Sequence, residues 1–210
     1  MESRSVWLDI PLGDYEGHMA LPSVGQAAML ADQLALLIAR TSPRSIAIAG
    51  CAGGNGLERV GPPVERVVAI DINPAYLDAV RARHAHRVRG LELHCGDVQS
   101  PVLSFEPVDL IFAGLIFEYV DPMPALATFR RNARPAAVLV ALLQLPTGGH
   151  EAISPSPFRT LGKLAGEMRL VDPAELERAA TAAGFISEDS RVIGLASGKR
   201  FHLRIFVARR

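Results

Sequence analysis

Apolar and polar residues alternate along the chain in blocks whose period switches between helix and strand. Residues 23–41, "SVGQAAMLADQLALLIART", place apolar side chains at helical spacing on one broad stripe, with Ser23 as the expected cap. "RSIAIAG" (44–50) is apolar on both faces, as a buried parallel strand is. "GLERV" (56–60) is a short helical turn stopped by Gly61-Pro62-Pro63. "ERVVAID" (65–71) is the second strand, and Asn73-Pro74 opens a helix running to about His84, with Asn as cap and Pro at the first position. Strands follow at 91–95, 108–114 and 136–145, with a helix at 123–133 between the last two. A helix at 173–185 then precedes "ISEDSRVIGLA" and "KRFHLRIFVAR", two strand-like runs joined by Ser197-Gly198. The first ~20 residues and 146–166 show no strong periodicity and read as irregular segments.

Strand–helix alternation predicts a doubly wound α/β fold: a mostly parallel sheet with helices on both faces. The closing pair predicts an antiparallel C-terminal hairpin on that sheet. The domain reading is an N-terminal lid and helix over 1–43 and a ligand-binding domain over 44–210, packed as one structural domain.

Composition narrows the class. The 210 residues are 49% hydrophobic, with 22 basic and 22 acidic side chains. That balance disfavours a nucleic-acid surface. Cys51 and Cys95 are too few for a disulfide framework, and the expectation for both is a reduced, buried thiol at a strand end. No Cys/His spacing suggests a metal site. The N-terminal residues carry acids and lack an apolar core, and no run approaches a membrane span, so the expectation is a cytoplasmic protein without membrane contact.

The chemistry concentrates in "SIAIAGCAGGNGLERV" (45–60), where four glycines fall within seven positions after the first strand. Glycine there implies a tight strand-to-helix turn and close approach of a ligand to the backbone. A P-loop is excluded, because Asn55 stands where its second glycine belongs and 44–70 holds no lysine. The dinucleotide pattern GxGxxG is also missing. Asp71 lies 21 residues beyond Gly50, the place of an acid that accepts from ribose hydroxyls in any adenosine-type ligand.

"IAGCAGGNG", "VVAIDINP", "CGDV" and "PVDLIFAGLIFEYVDP", in this order and with the closing hairpin, resemble the class I S-adenosylmethionine-dependent methyltransferases over residues 44–208. The resemblance implies a Rossmann-like sheet of seven strands and S-adenosylmethionine as cofactor, giving S-adenosylhomocysteine, with no metal. It implies that Gly50, Cys51, Ala52, Gly53, Gly54, Asn55 and Gly56 wrap the methionine and ribose portion. Asp71 would take the ribose hydroxyls, Ile72 would pack on the adenine with Asp97 and Val98 at its edge, and Gly114 would line the methyl-donor cavity. The chain departs from the family at Ile48, where an acid usually stands, and at Ala52, where the pattern has glycine. Asn55, Glu58 or backbone carbonyls are the candidate substitutes for that acid.

Methyl transfer needs in-line positioning and water exclusion more than a strong catalytic cluster. The chain lacks the Asn/Asp-Pro-Pro-aromatic motif of base-methylating enzymes, which points to a small-molecule acceptor rather than nucleic acid. His18, Glu118 and Tyr119 are the candidate catalytic groups. Tyr15, His18 and Met19, on a segment able to fold over the sheet's carboxyl edge with Trp7, are the candidate lid and substrate contacts; a purely structural role stands beside each. His84 and His86 read as a solvated basic helix end, while His150 and His202 receive no role. Monomer and homodimer both remain open. Two other functions stay in play: a catalytically silent nucleotide-binding module, motivated by Ile48, and an NAD-dependent oxidoreductase, disfavoured by the missing GxGxxG.

Overall fold

The computed structural model describes residues 5–146 and 153–210. Seven strands, β1 (Ser45–Ala49), β2 (Arg66–Asp71), β3 (Leu91–Cys95), β4 (Val108–Gly114), β5 (Ala133–Gln144), β6 (Phe185–Gly194) and β7 (Arg200–Ala208), form one sheet. Their order is β3-β2-β1-β4-β5-β7-β6. The first five pair in parallel, and β7 runs antiparallel to both β5 and β6. The hairpin forms as its Ser-Gly turn implies, but its second strand inserts next to β5, leaving polar β6 at the edge.

Side-chain alternation builds two cores from one set of strands. In β1, Ala47 and Ala49 face a layer closed by helices α4 (Pro122–Arg131) and α5 (Pro173–Ala182), with Phe117, Phe129 and Phe206 in the same cluster. Ile46 and Ile48 face the other way, onto α2 (Gln26–Thr41) and α3 (Pro74–His84) through Leu34, Leu37, Leu77 and Val80. The helix expected after β1 is only the 3-10 turn Leu57–Arg59.

Four expectations are corrected here. The N-terminal segment is ordered as a 3-10 turn, Val6–Asp9, and a helix, α1 (Leu12–Ala20), not irregular. Its short, Gly-containing periodicity is too brief to read, and packing supplies what propensity lacks. Ser23 does not cap α2; Gly25, with φ 65°, makes that entry. The loop after β5 contains the 3-10 helix Arg159–Gly166, while residues 147–152 of that segment, His150 among them, lie outside the described residues. Cys95 is exposed, because β3 is an edge strand; Cys51 is buried as expected.

Asn73 does double duty. Its Oδ1 accepts from the Ala75 N–H at 3.0 Å, capping α3, and its Nδ2 donates to the Trp7 carbonyl at 2.9 Å. One turn on, the Tyr76 hydroxyl donates to the Ile10 carbonyl at 2.9 Å. These bonds fasten the N-terminal segment to the start of α3, at the carboxyl edge of the sheet. Asn73→Ala removes the cap and one tie together, so unfolding free energy should fall by about 1 kcal/mol or somewhat more. Chemical denaturation of variant and wild type measures it, and equal midpoints would contradict the assignment.

Candidate functional site

The carboxyl ends of β1, β2 and β4 open onto a cavity of about 320 Å³. One end is built from backbone turns. The Gly50 and Cys51 N–H groups both donate to the Ile70 carbonyl, at 2.9 and 3.0 Å, which bends the chain away from β1. Gly50 takes φ 69°, a value that favours glycine. Ala52 takes φ 46°, so the position that departs from the glycine pattern keeps the left-handed backbone at a steric cost. Asp71, 7% exposed at the end of β2, holds this turn: Oδ2 accepts from the Ala52 N–H and Oδ1 from the Asn73 N–H, both at 2.9 Å. Burial raises its pKa, and the same backbone donors pull it back down. Each carboxylate oxygen keeps a lone pair, so the group can still accept from two hydroxyls.

Most of the residues singled out in the sequence meet here. Gly50, Ala52, Asp71, Ile72, Asp97, Val98 and Gly114 line this cavity, together with Tyr15, His18, Met19, Glu118 and Tyr119. Cys51, Gly53, Gly54 and Asn55 line a second, adjoining space of about 450 Å³ beneath the loop, which shares Gly50, Ala52 and Gly114 with the first. Gly56 lines neither and instead packs against α2, where an added Cβ would sit 3.3 Å from the Ala31 Cα. Burial pushes the Cys51 thiol well up, which keeps it unreactive.

Several readings change. His84 is buried, not solvated; it lies under the loop, where a Cβ on Gly54 would come within 2.8 Å of its ring. Burial, then Arg87, holds its pKa down. Asn55 Nδ2 donates to the Ala27 carbonyl at 2.9 Å, which ties the loop to α2 at the edge of the second space. Glu58 accepts from the Gly56 N–H at 3.0 Å, and its half-exposed carboxylate lines the second space beside the loop. Ile48 sits in the apolar α2 layer at 5% exposure, where a carboxylate would have cost desolvation. At that end of the loop the structure places Glu16 of α1, bound to Arg83 at 2.5 and 3.1 Å, with Arg83 also donating to the Gly53 carbonyl at 3.2 Å. The sequence gives no signal for this pair, which joins residues 67 positions apart.

The far end of the cavity is polar and enclosed. Glu118, which can be read as an ordinary first-turn helix acid, is 1% exposed. Its Oε1 accepts the Gln144 N–H at 2.6 Å, and burial pushes its pKa up to about 7. His18 is also buried, and burial followed by Lys199 holds its pKa down. Gln26, Gln144 and Lys199 line the same end; none was singled out, although a glutamine closing the most apolar strand was a legible hint. Trp7 stands edge-on to Tyr15 and to Tyr119, with centroids 5.6 and 4.9 Å apart. Burial raises the Tyr15 and Tyr119 hydroxyls, which therefore stay protonated. Among the described residues no cluster of three or more His, Cys, Asp or Glu forms a metal cage, and no helix is long and apolar enough to cross a membrane.

The raised Glu118 pKa has a sign. The folded chain binds this proton more tightly than the unfolded chain, whose carboxyl titrates near 4.5. Stability therefore falls as pH rises from about 4.5 to about 7, and the loss is complete above that. Glu118→Gln, neutral throughout, should gain melting temperature on wild type by roughly 5–10 °C more at pH 8 than at pH 5. Differential scanning calorimetry at the two pH values decides it; a gap that does not change with pH would contradict the buried carboxyl.

Residues 48–141 match a family model described as a methyltransferase domain. The fold matches that of the N-methyltransferase NodS from Bradyrhizobium japonicum WM9 in complex with S-adenosyl-L-homocysteine, with TM-score 0.66, 17% identity, and 88% of each chain covered. It also matches magnesium protoporphyrin IX methyltransferase (ChlM) from Synechocystis PCC 6803 with bound S-adenosylhomocysteine, with TM-score 0.67, 13% identity, and 88% of this chain and 84% of that one covered. The [4+2]-cyclase SpnF shares the fold too, with TM-score 0.64, 13% identity, and 85% and 80% covered. No curated protein matches the sequence.

Proposed function

From a methyltransferase-domain match set within the class I S-adenosylmethionine-dependent methyltransferase fold, we propose that this chain transfers a methyl group from S-adenosylmethionine to a small-molecule acceptor. The observation that carries the reading is one continuous cavity. It runs from Asp71, Ile72 and Asp97 past Gly50 and Gly114 to His18 and Glu118, beneath α1.

The residues present fit the cofactor. Asp71 is buried, fixed by two backbone donors, and faces the cavity with acceptor capacity left for a ribose diol. Ile72 and Val98 offer apolar walls and Asp97 a polar edge for an adenine. Gly50 and Ala52, both left-handed, bring backbone close to where the amino-acid portion would lie, and Glu16 with Arg83 brings charge of both signs to the loop's far side. When bound, S-adenosylmethionine supplies an electrophilic methyl group on a cationic sulfur.

The chain's own work is positioning and exclusion of water. Tyr15, His18 and Met19 of α1 close the cavity from above, and Leu161 and Leu164 of the 3-10 helix close it from the side. Glu118, His18 and Tyr119 orient the acceptor at the enclosed end. With its pKa near 7, Glu118 can also take a proton from the acceptor.

Asp71→Asn tests the cofactor assignment while conserving volume. Calorimetric titration with S-adenosylhomocysteine should show affinity reduced by about 10- to 100-fold, as loss of a charged hydrogen-bond acceptor implies. Unchanged affinity in a variant that melts normally would remove Asp71 from the site and the proposal with it.

A further inference from the structure

The enclosed end of the cavity carries two buried polar atoms without a hydrogen-bond partner among the described residues: Glu118 Oε2 and His18 Nδ1. Such atoms are rare in folded interiors and mark a missing partner. Glu118 cannot turn aside to find one, because Oε1 is pinned to the Gln144 N–H at the end of β5. Both residues line the cavity, on opposite elements: α1 above and the turn after β4 below.

The charge of the lining selects among partners. Asp71, Asp97, Glu118 and Glu167 face the cavity, and Lys199 is the one lysine or arginine among the described lining residues. Lys199 Nζ lies 3.5 Å from Gln144 Oε1, and Gln26 Nε2 approaches the same oxygen at 3.4 Å, so these three groups form a side network beside Glu118. His18 is held neutral by its burial and by Lys199, so it adds an acceptor rather than a second cation. Trp7, Tyr15 and Tyr119 form a connected aromatic wall along the same cavity. Aromatic faces and carboxylates attract an organic cation. Asp71 and Asp97 belong to the nucleoside end and Glu167 is exposed, so at this end an anion would face the buried Glu118 carboxylate, and an alcohol would leave its charge unmatched.

We propose that the enclosed end is an acceptor subsite for an amine that enters as its ammonium and is anchored by Glu118: one N–H donates to Glu118 Oε2, and passing that proton to the carboxylate would free the nitrogen lone pair to take the methyl group, with S-adenosylhomocysteine as the leaving group; a second N–H reaches His18, and the apolar body rests among Trp7, Tyr15 and Tyr119. The proposal rests on the methyltransferase reading and names the substrate class within it, an amine.

The test uses the full chain saturated with S-adenosylhomocysteine and three probes of one shape: 2-phenylethylammonium, 2-phenylethanol and phenylacetate. Isothermal titration calorimetry at pH 7.5 should show the ammonium binding at least about 10-fold tighter than the alcohol, with the carboxylate weakest. Glu118→Gln, with folding checked by its melt, should lose that preference. Three results overturn the inference: no measurable ammonium binding, an alcohol or carboxylate bound as tightly, or an undiminished preference in Glu118→Gln. The S-adenosylhomocysteine titration reads the underlying proposal separately. Normal binding with no ammonium preference sinks the subsite alone, whereas no binding sinks both.

Discussion

Asp71 places a carboxylate where three stretches of backbone converge at the sheet's carboxyl edge. One oxygen holds the left-handed Ala52 of the glycine turn, and the other holds Asn73 at the start of α3. Asn73 in turn grips the Trp7 carbonyl, and Tyr76 grips Ile10, so the N-terminal segment is hung from the same point. A buried carboxylate is costly unless hydrogen-bonded, and here one of its bonding partners, Ala52, is itself part of the cavity wall. The cavity's shape and the acid that faces it therefore share one physical cause. That link explains why a short helix such as α1, marginal alone in water, is ordered over the sheet.

How much of this was legible follows from the range of the interactions. The central strands read correctly because parallel strands buried on both faces leave unbroken apolar runs, as in "SIAIA" and "AAVLVALLQ". Asn73-Pro74 read correctly because capping is local. The glycine turn and Asp71 could be placed because they close β1 and β2, and strand ends define one edge of the sheet. The rest depends on contacts distant in sequence. Glu16 and Arg83 meet only through the fold, and His84 looks solvated until the Gly54 turn is laid on top of it. Glu118 looks like a surface acid because its burial comes from β5, α1 and the segment near Leu161, none adjacent in sequence. Ser23 failed as a cap because Gly25, two residues on, already supplies the left-handed entry.

The cavity divides its tasks by polarity. At the nucleoside end, backbone donors and one carboxylate set direction, with Ile72 and Val98 giving apolar faces. At the other end a pinned carboxyl and an imidazole held down in pKa face the cavity beside Tyr119, and Tyr15 and Trp7 continue the aromatic wall from there toward Asp71. Folding pays for this polar end with desolvation, visible in the raised Glu118 and the lowered His18. Function explains why a chain keeps such groups where leucine would be more stable. Ile48 fits the same logic in reverse: the position is given to the core, and charge near the loop comes instead from α1 and α3.

A crystal structure of the full chain with S-adenosylhomocysteine tests the central claim most directly. The expected result is a ribose diol on Asp71, an adenine between Ile72 and Val98, and a thioether sulfur facing the space between Gly114 and Glu118. A ligand bound elsewhere, or one whose sulfur points away from Glu118 and His18, would contradict the single cavity as the place where methyl transfer occurs.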